Sequence, residues 1–170
     1  MSGVSIRPYA PSDLEACRDL WRELTQRHRD IYEDQTIGGD DPGRYFDEHH
    51  LKDGRLAATW VAVCDGVVVG LCSLLMSGDE GEIDPVVVRA ELRSQGIGTL
   101  LVEHGIEEAR QRNVRLLSIR PVARNIEAIA LYHRLGFRNL GQIDMVMEVS
   151  GPGKITWQPG VTLHGNDYNY

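Results

Sequence analysis

Val86-Val87-Val88-Arg89-Ala90-Glu91-Leu92-Arg93-Ser94-Gln95-Gly96-Ile97-Gly98-Thr99-Leu100 is a run of β-formers that feeds a tight turn and then opens a helix. Glycines at such a turn let backbone N–H groups approach a ligand, and the helix start presents unpaired donors at the positive end of its dipole. That arrangement suits a phosphate or pyrophosphate. Arg93 adds a charged fork just before the turn, and Thr99 adds a hydroxyl in the first helical turn. Two other nucleotide motifs are excluded. A dinucleotide-binding GxGxxG needs a third glycine where Leu101 stands, and a P-loop needs a lysine that the segment lacks.

Working outward, Gly81–Arg89 reads as a strand interrupted by Pro85, which marks a bulge or an edge. Before it, Thr59–Cys64, Asp65-Gly66 and Val67–Met76 form a hairpin signal that pairs Cys64 with Val67 and Cys72 with Thr59. Val4–Tyr9 reads as a first strand. A helix then opens at Pro11-Ser12, with Ser12 and Glu15 as a capping box and Leu14, Cys17, Leu20, Trp21 and Leu24 as its apolar stripe. The glycine-rich stretch Ile31–Gly43 is a loop, and a short helix is predicted over Pro42–Leu51 with Pro42 first.

Beyond the quoted stretch, Gly96 to Arg112 is helical, with Ile97, Leu100 and Leu101 on one face and small Gly105 and Ala109 continuing it. Val114–Val122 is a strand. Asn125–Leu135 is a helix ended by Gly136 as a left-handed cap, and Phe137–Val149 gives one or two last strands. The order β-α-α-β-β-β-α-β-α-β predicts an α/β (α+β) single domain around one sheet. It spans residues 1–149. From Ser150 the composition turns to Gly, Pro, Asn and aromatics, so 150–170 reads as a tail, an extra strand or a contact with a second copy.

The 170 residues are 42% hydrophobic and 25% charged, as in an ordinary globular domain large enough for its own core. A net charge of −7 argues against nucleic acid. Sixteen of the eighteen basic residues are arginines, spread along the chain, while acids cluster at Glu33-Asp34, Asp40-Asp41, Asp47-Glu48 and Asp79–Asp84. No apolar run is long enough to span a bilayer. Cys17, Cys64 and Cys72 form no CxxC pair, and His49-His50 has no spaced partner, so the expectation is reduced thiols, no metal and a cytoplasmic chain.

Arg93-Ser94-Gln95-Gly96-Ile97-Gly98 matches [Q/R]-x-x-G-x-[G/A] at every defined position. A second match follows at Asn125-Ile126-Glu127-Ala128-Ile129-Ala130-Leu131-Tyr132-His133-Arg134-Leu135-Gly136-Phe137, which resembles N-x-x-A-x-x-x-Y-x-x-x-G-F. Together they make the chain similar to the GNAT N-acetyltransferase superfamily. The resemblance implies a mixed, mostly antiparallel twisted sheet flanked by helices, acetyl-CoA as co-substrate, an amine acceptor and a homodimer. It implies that the main chain around Val86, Val87 and Val88 meets the pantetheine arm. Arg93, Ser94, Gln95, Gly96, Ile97, Gly98 and Thr99 then hold the pyrophosphate, and Asn125 lines the cofactor side.

By the same resemblance Tyr132, a phenol with an ordinary pKa near 10, protonates the leaving thiolate. Glu82 or Asp84 deprotonates the amine, directly or through a water. Three bland readings stand beside these. Tyr132 also fits an apolar helix face, Glu82 a solvated carboxylate, and Asp84 a local brace for the bulge. No cysteine occupies a family position, so transfer is direct. The acidic loop Tyr32–Gly43 favours a small cationic amine; a peptide N-terminus or protein lysine is the competing acceptor, and a non-catalytic acetyl-CoA sensor the competing class.

Overall fold

Asp65 and Gly66 both adopt left-handed backbone (φ 50° and 78°), the geometry a two-residue hairpin needs to match strand twist. The computed structural model, which describes residues 3–149 and 156–170, builds its sheet around this hairpin. Strand β1 is Ser5–Pro8, β2 Leu56–Cys64, β3 Val67–Ser77, β4 Glu80–Val88 and β5 Leu116–Ile119. They lie in the order β1-β2-β3-β4-β5, antiparallel except for the parallel β4–β5 pair. The helices are α1 Leu14–Tyr32, α2 Tyr45–Glu48, α3 Ile97–Gln111 and α4 Ile126–Arg134. A separate antiparallel pair, β6 Pro159–Leu163 and β7 Asn166–Asn169, closes the chain.

Two cores sandwich the sheet. On one face Cys17, Leu20 and Phe46 pack with Val61, Leu71 and Val87; on the other Ile97, Leu101 and Val102 of α3 pack with Ala62, Cys72 and Ile83. Side chains alternate along a strand, so residues an odd number apart share a face only across a bulge. Ile83 and Val86 contact the same α3-side core, and the pairing shows why: Cys72 opposes Val86 and Leu74 opposes Ile83, leaving Ser73 opposite both Asp84 and Pro85. Pro85, which cannot donate to a ladder, therefore sits in a bulge, as its place in the sequence predicts.

Other expectations are corrected. A second irregularity, where Ala62 opposes Gly70 but Val63 opposes Val68, shifts β3 by one residue, so Cys72 faces Trp60 and Thr59 faces Ser73. Helix α1 is not capped by Ser12. Pro11–Asp13 forms a 3₁₀ turn, and the buried Asp13 carboxylate accepts the Ala10 N–H (2.8 Å) and a two-pronged Arg7 contact (2.6 and 2.8 Å). The helix expected over Pro42–Leu51 is broken into 3₁₀ turns at Pro42–Arg44 and His50–Lys52 around the four residues of α2.

Leu100 lies on the solvent side of α3, while Val102 takes the buried place. The fifth strand keeps only Leu116–Ile119 of Val114–Val122. Residues 137–149 form no strand at all. Their alternating apolar pattern pairs with neither edge strand, β1 or β5, and Ile143, Met145, Met147 and Val149 stay between 54% and 87% exposed. The predicted boundary at Ser150 lies outside the described residues.

Candidate active site

Strands β4 and β5 pair from Glu80–Leu116 to Ile83–Ile119 and then part at the bulge. The Arg89 N–H donates to Val69 O (2.9 Å), so odd-numbered main-chain groups beyond the bulge face β3 and those of Val86 and Val88 face the opening between β4 and β5. Val88 O already accepts Arg93 Nε (3.2 Å), which folds this arginine back along the strand. Val87 is not brought to the opening: its main chain faces β3 and its side chain is buried on the α1 side.

At the end of β4 a 3₁₀ turn at Ala90–Leu92 leads into α3. Glu23 of α1 anchors this turn by accepting the Ala90 N–H (2.8 Å). Ser94 and Gly96 have positive φ (60° and 87°), and no side chain caps α3. Among the described residues no acceptor takes the N–H groups of Gly96, Ile97, Gly98 or Thr99. A Cβ on Gly96 would meet nothing within 4 Å, so the space in front of these donors is open. Gly98 is less constrained, since a Cβ there would make ordinary contacts with Leu131 (3.5 Å) and Val88 (3.8 Å). The Ile97 side chain is buried, so only its N–H is offered. An anionic diphosphate fits this helix start.

Asn125 caps α4, its Oδ1 accepting the Ala128 N–H at 3.3 Å. At the other end Gly136 (φ 105°) donates to His133 O and Phe137 donates to Tyr132 O, the paired bonds of a Schellman cap. Its accompanying apolar contact is the edge-to-face Tyr132–Phe137 pair, with centroids 6.4 Å apart. The cap fixes Tyr132 half-buried against the α3-side core, which Val86 and Val88 also pack against. Its hydroxyl has no hydrogen-bond partner among the described residues. Burial, then the charges of Cys72 and Asp84, pushes its pKa up to about 12, which replaces the expected value near 10.

The two candidate bases differ. Glu82 is 12% exposed and held by two guanidinium groups, Oε1 at 3.0 Å from Arg120 and Oε2 at 3.4 Å from Arg55. Neither arginine was picked out by sequence reasoning. The signal for Arg120 lies in the parallel register, which pairs Glu82 with Ser118, two residues before it. Asp84 has no hydrogen bond or ion pair among the described residues, so it does not brace the bulge. The residue is exposed to solvent, with the charges of Glu82, Arg120, Arg55 and Asp53 around it. Desolvation first, and the Glu82 charge second, push its pKa up to about 6 against the pull of Arg120 and Arg55.

The acidic loop after α1 is partly neutralised. Asp41 lies 3.2 Å from Arg22, and Asp34 accepts bonds from Thr36. A groove of about 350 Å³ runs between α1 and this loop, lined by Arg22, Glu23, Gln26, Arg29, Asp40 and Asp41. His50 is buried and hydrogen-bonded, His133 is exposed, and Trp60 is in the core. Among the described residues no group of three His, Cys, Asp or Glu side chains could hold a metal ion, and no helix is long and apolar enough to cross a membrane.

Comparison with known proteins shows the family to which this fold belongs. Residues 15–137 match the acetyltransferase (GNAT) family. The chain is 30% identical over 137 residues to the [ribosomal protein bS18]-alanine N-acetyltransferase of Salmonella typhimurium, covering 81% of each. It is 29% identical over 134 residues to the spore coat polysaccharide biosynthesis protein SpsD of Bacillus subtilis, covering 78% of this chain but only 46% of that one. The crystal structure of the PaiA N-acetyltransferase of Thermoplasma acidophilum with coenzyme A superposes with a TM-score of 0.69 at 16% identity, over 80% of this chain and 90% of that one. The chain belongs to the GNAT acetyltransferase family.

Proposed function

We propose that this chain moves the acetyl group of acetyl-CoA directly to a primary amine at the β4–β5 opening, with Asp84 as base and Tyr132 as donor to the departing sulfur. One observation carries the reading: an unpaired carboxyl raised to about 6 acts electrostatically on a phenol with a free hydroxyl, in a domain whose α3 starts with uncapped N–H groups. Acetyl-CoA supplies the activated acyl group. The N–H groups of Gly96, Ile97, Gly98 and Thr99, with Arg93, Ser94 and Gln95 around them, hold its diphosphate. The main chain at Val86 and Val88 orients the pantetheine arm, and the α4 start fixed by Asn125 lines the cofactor side.

Asp84 takes a proton from the ammonium group, directly or through a water, and frees the nitrogen lone pair for attack at the thioester carbon. Tyr132 donates its O–H to the sulfur as the C–S bond breaks. A phenol near 12 stays protonated through neutral pH, while a free thiol ionises near 8.5. Tyr132 therefore steadies the leaving thiolate by hydrogen bonding, and the proton released as the amide forms balances the sulfur. Glu82, its oxygens taken by two arginines, is the weaker candidate for the base. Burial pushes the Cys17 and Cys72 thiols up to about 12, which speaks for direct transfer over an acyl-enzyme.

For the acceptor, the 30% identity to a ribosomal protein alanine N-acetyltransferase favours a peptide N-terminus. A small cationic amine is the second reading, supported by Asp40 and Asp41 beside the α1 groove. The exposed apolar residues at 143–149 support a homodimer built through that segment. An acetylation assay separates the acceptors. The wild type, given acetyl-CoA and either an alanine-initiated peptide, spermidine or an aminoglycoside, acetylates the peptide as detected by mass spectrometry. Tyr132→Phe lowers kcat about a hundredfold and leaves the acetyl-CoA Kd unchanged. Binding of acetyl-CoA with no acceptor consumed would assign the chain to sensing instead.

A further inference from the structure

On the α1 side of the sheet, behind the bulge, lies a polar cluster that the reaction does not touch. His50 Nε2 is 2.9 Å from Ser73 Oγ, which is itself 2.9 Å from Thr59 Oγ1. All three residues are buried, Ser73 completely. The imidazole packs against Trp21 (5.1 Å) and Phe46 (5.9 Å), and burial pushes its pKa down to about 4 although Asp53 pulls the other way.

Burying three polar side chains in an apolar layer costs free energy unless each is satisfied, and aliphatic residues would fill the space at no such cost. A buried polar contact of this kind is best attested as a device that fixes register. Here the position matters. Ser73 is the residue of β3 that faces both Asp84 and Pro85, and Thr59 is its partner across β2. A slip of β3 by one residue at this point would turn the Ser73 side chain away from Thr59 and His50 and change which β3 residue faces the bulge. His50 ties the same point to the segment that follows α2.

We propose that His50, Ser73 and Thr59 are positioning residues that hold β3 at Ser73, the residue opposite the bulge, against β2 and the segment after α2, and thereby keep the Asp84 carboxylate in the opening. This rests on the reading of Asp84 as the base. Asp84 interacts electrostatically with Glu82, Arg120, Arg55, Asp53, Tyr132 and Cys72, so a carboxylate that moves among them titrates differently.

The test uses Ser73→Ala and the isosteric Thr59→Val, with Thr59→Ser as the conservative control. Carbon-detected NMR follows the Asp84 carboxyl, and turnover is measured with acetyl-CoA and the alanine-initiated peptide. The titration midpoint is expected to leave its place near 6 in Ser73→Ala and Thr59→Val and to stay there in Thr59→Ser. The kcat of the first two falls about ten- to a hundredfold with an unchanged acetyl-CoA Kd. Should Ser73→Ala fail to fold, Thr59→Val carries the test. A lowered Tm with an unmoved Asp84 titration and unchanged kcat would overturn the proposal and leave a purely structural cluster. Asp84→Asn separates the two layers. If it keeps full kcat, the base assignment falls and the proposal with it; if it loses kcat while Thr59→Val does not, the positioning role alone falls.

Discussion

A carboxylate can accept a proton only while its lone pairs are free, and this separates two acids two residues apart. Glu82 spends both oxygens on Arg55 and Arg120; Asp84 spends none on a partner. The sequence places both on one strand but could not rank them, because Arg55 precedes Glu82 by 27 positions and meets it only through the fold. Tyr132, by contrast, was legible, since its spacing from Asn125 and Gly136 builds the helix caps that hold it. Its raised pKa was not, because burial depends on the packed core. For Asp84 the linkage has a definite sign. A folded pKa near 6 against about 3.9 unfolded means the folded state holds the proton more tightly, so stability is lost as pH rises through that window and the loss is complete above it. Asp84→Asn should therefore raise Tm at pH 7.5 more than at pH 4, by calorimetric scan, while kcat falls about a hundredfold.

At the scale of elements, signals that reside in a few consecutive residues were readable: the Asp65-Gly66 turn, the Gly96 entry to α3, the Gly136 end of α4, and a bulge at Pro85. What could not be read depends on distant neighbours. The irregularity in β3 turns Cys72 opposite Trp60, and the polar cluster at Ser73 joins three separate segments. Residues 137–149 have a strand's alternation, yet they pair with neither edge of the sheet. The α3 face shows how close this packing is. A Cβ on Gly105 would come to 3.0 Å from Ile83 Cδ1 and 3.6 Å from Cys72 Sγ. Gly105→Val forces α3 away from β4 next to the bulge, at a cost of about 1–3 kcal/mol. Urea unfolding measures it; an unchanged midpoint would mean that α3 moves freely on the sheet.

Across the whole molecule, composition limited the function classes and the element order described the fold from β1 to α4, while the strands expected over 137–149 did not form. The exposed apolar segment at 143–149 is the feature that most needs a partner. With Met145→Asp and Met147→Asp together, sedimentation equilibrium should report monomers where the wild type reports dimers; equal masses would place the interface elsewhere. The central claim, that the β4–α3 junction binds the diphosphate of acetyl-CoA, is tested most directly by titration calorimetry. The proteins are the wild type, Gly96→Ala and Gly96→Glu. The left-handed φ of 87° strains either side chain, but only glutamate places a carboxylate before the free N–H groups. Binding by the wild type, weaker binding by Gly96→Ala and none by Gly96→Glu is the predicted result; no binding by the wild type, or equal binding by all three, would contradict it.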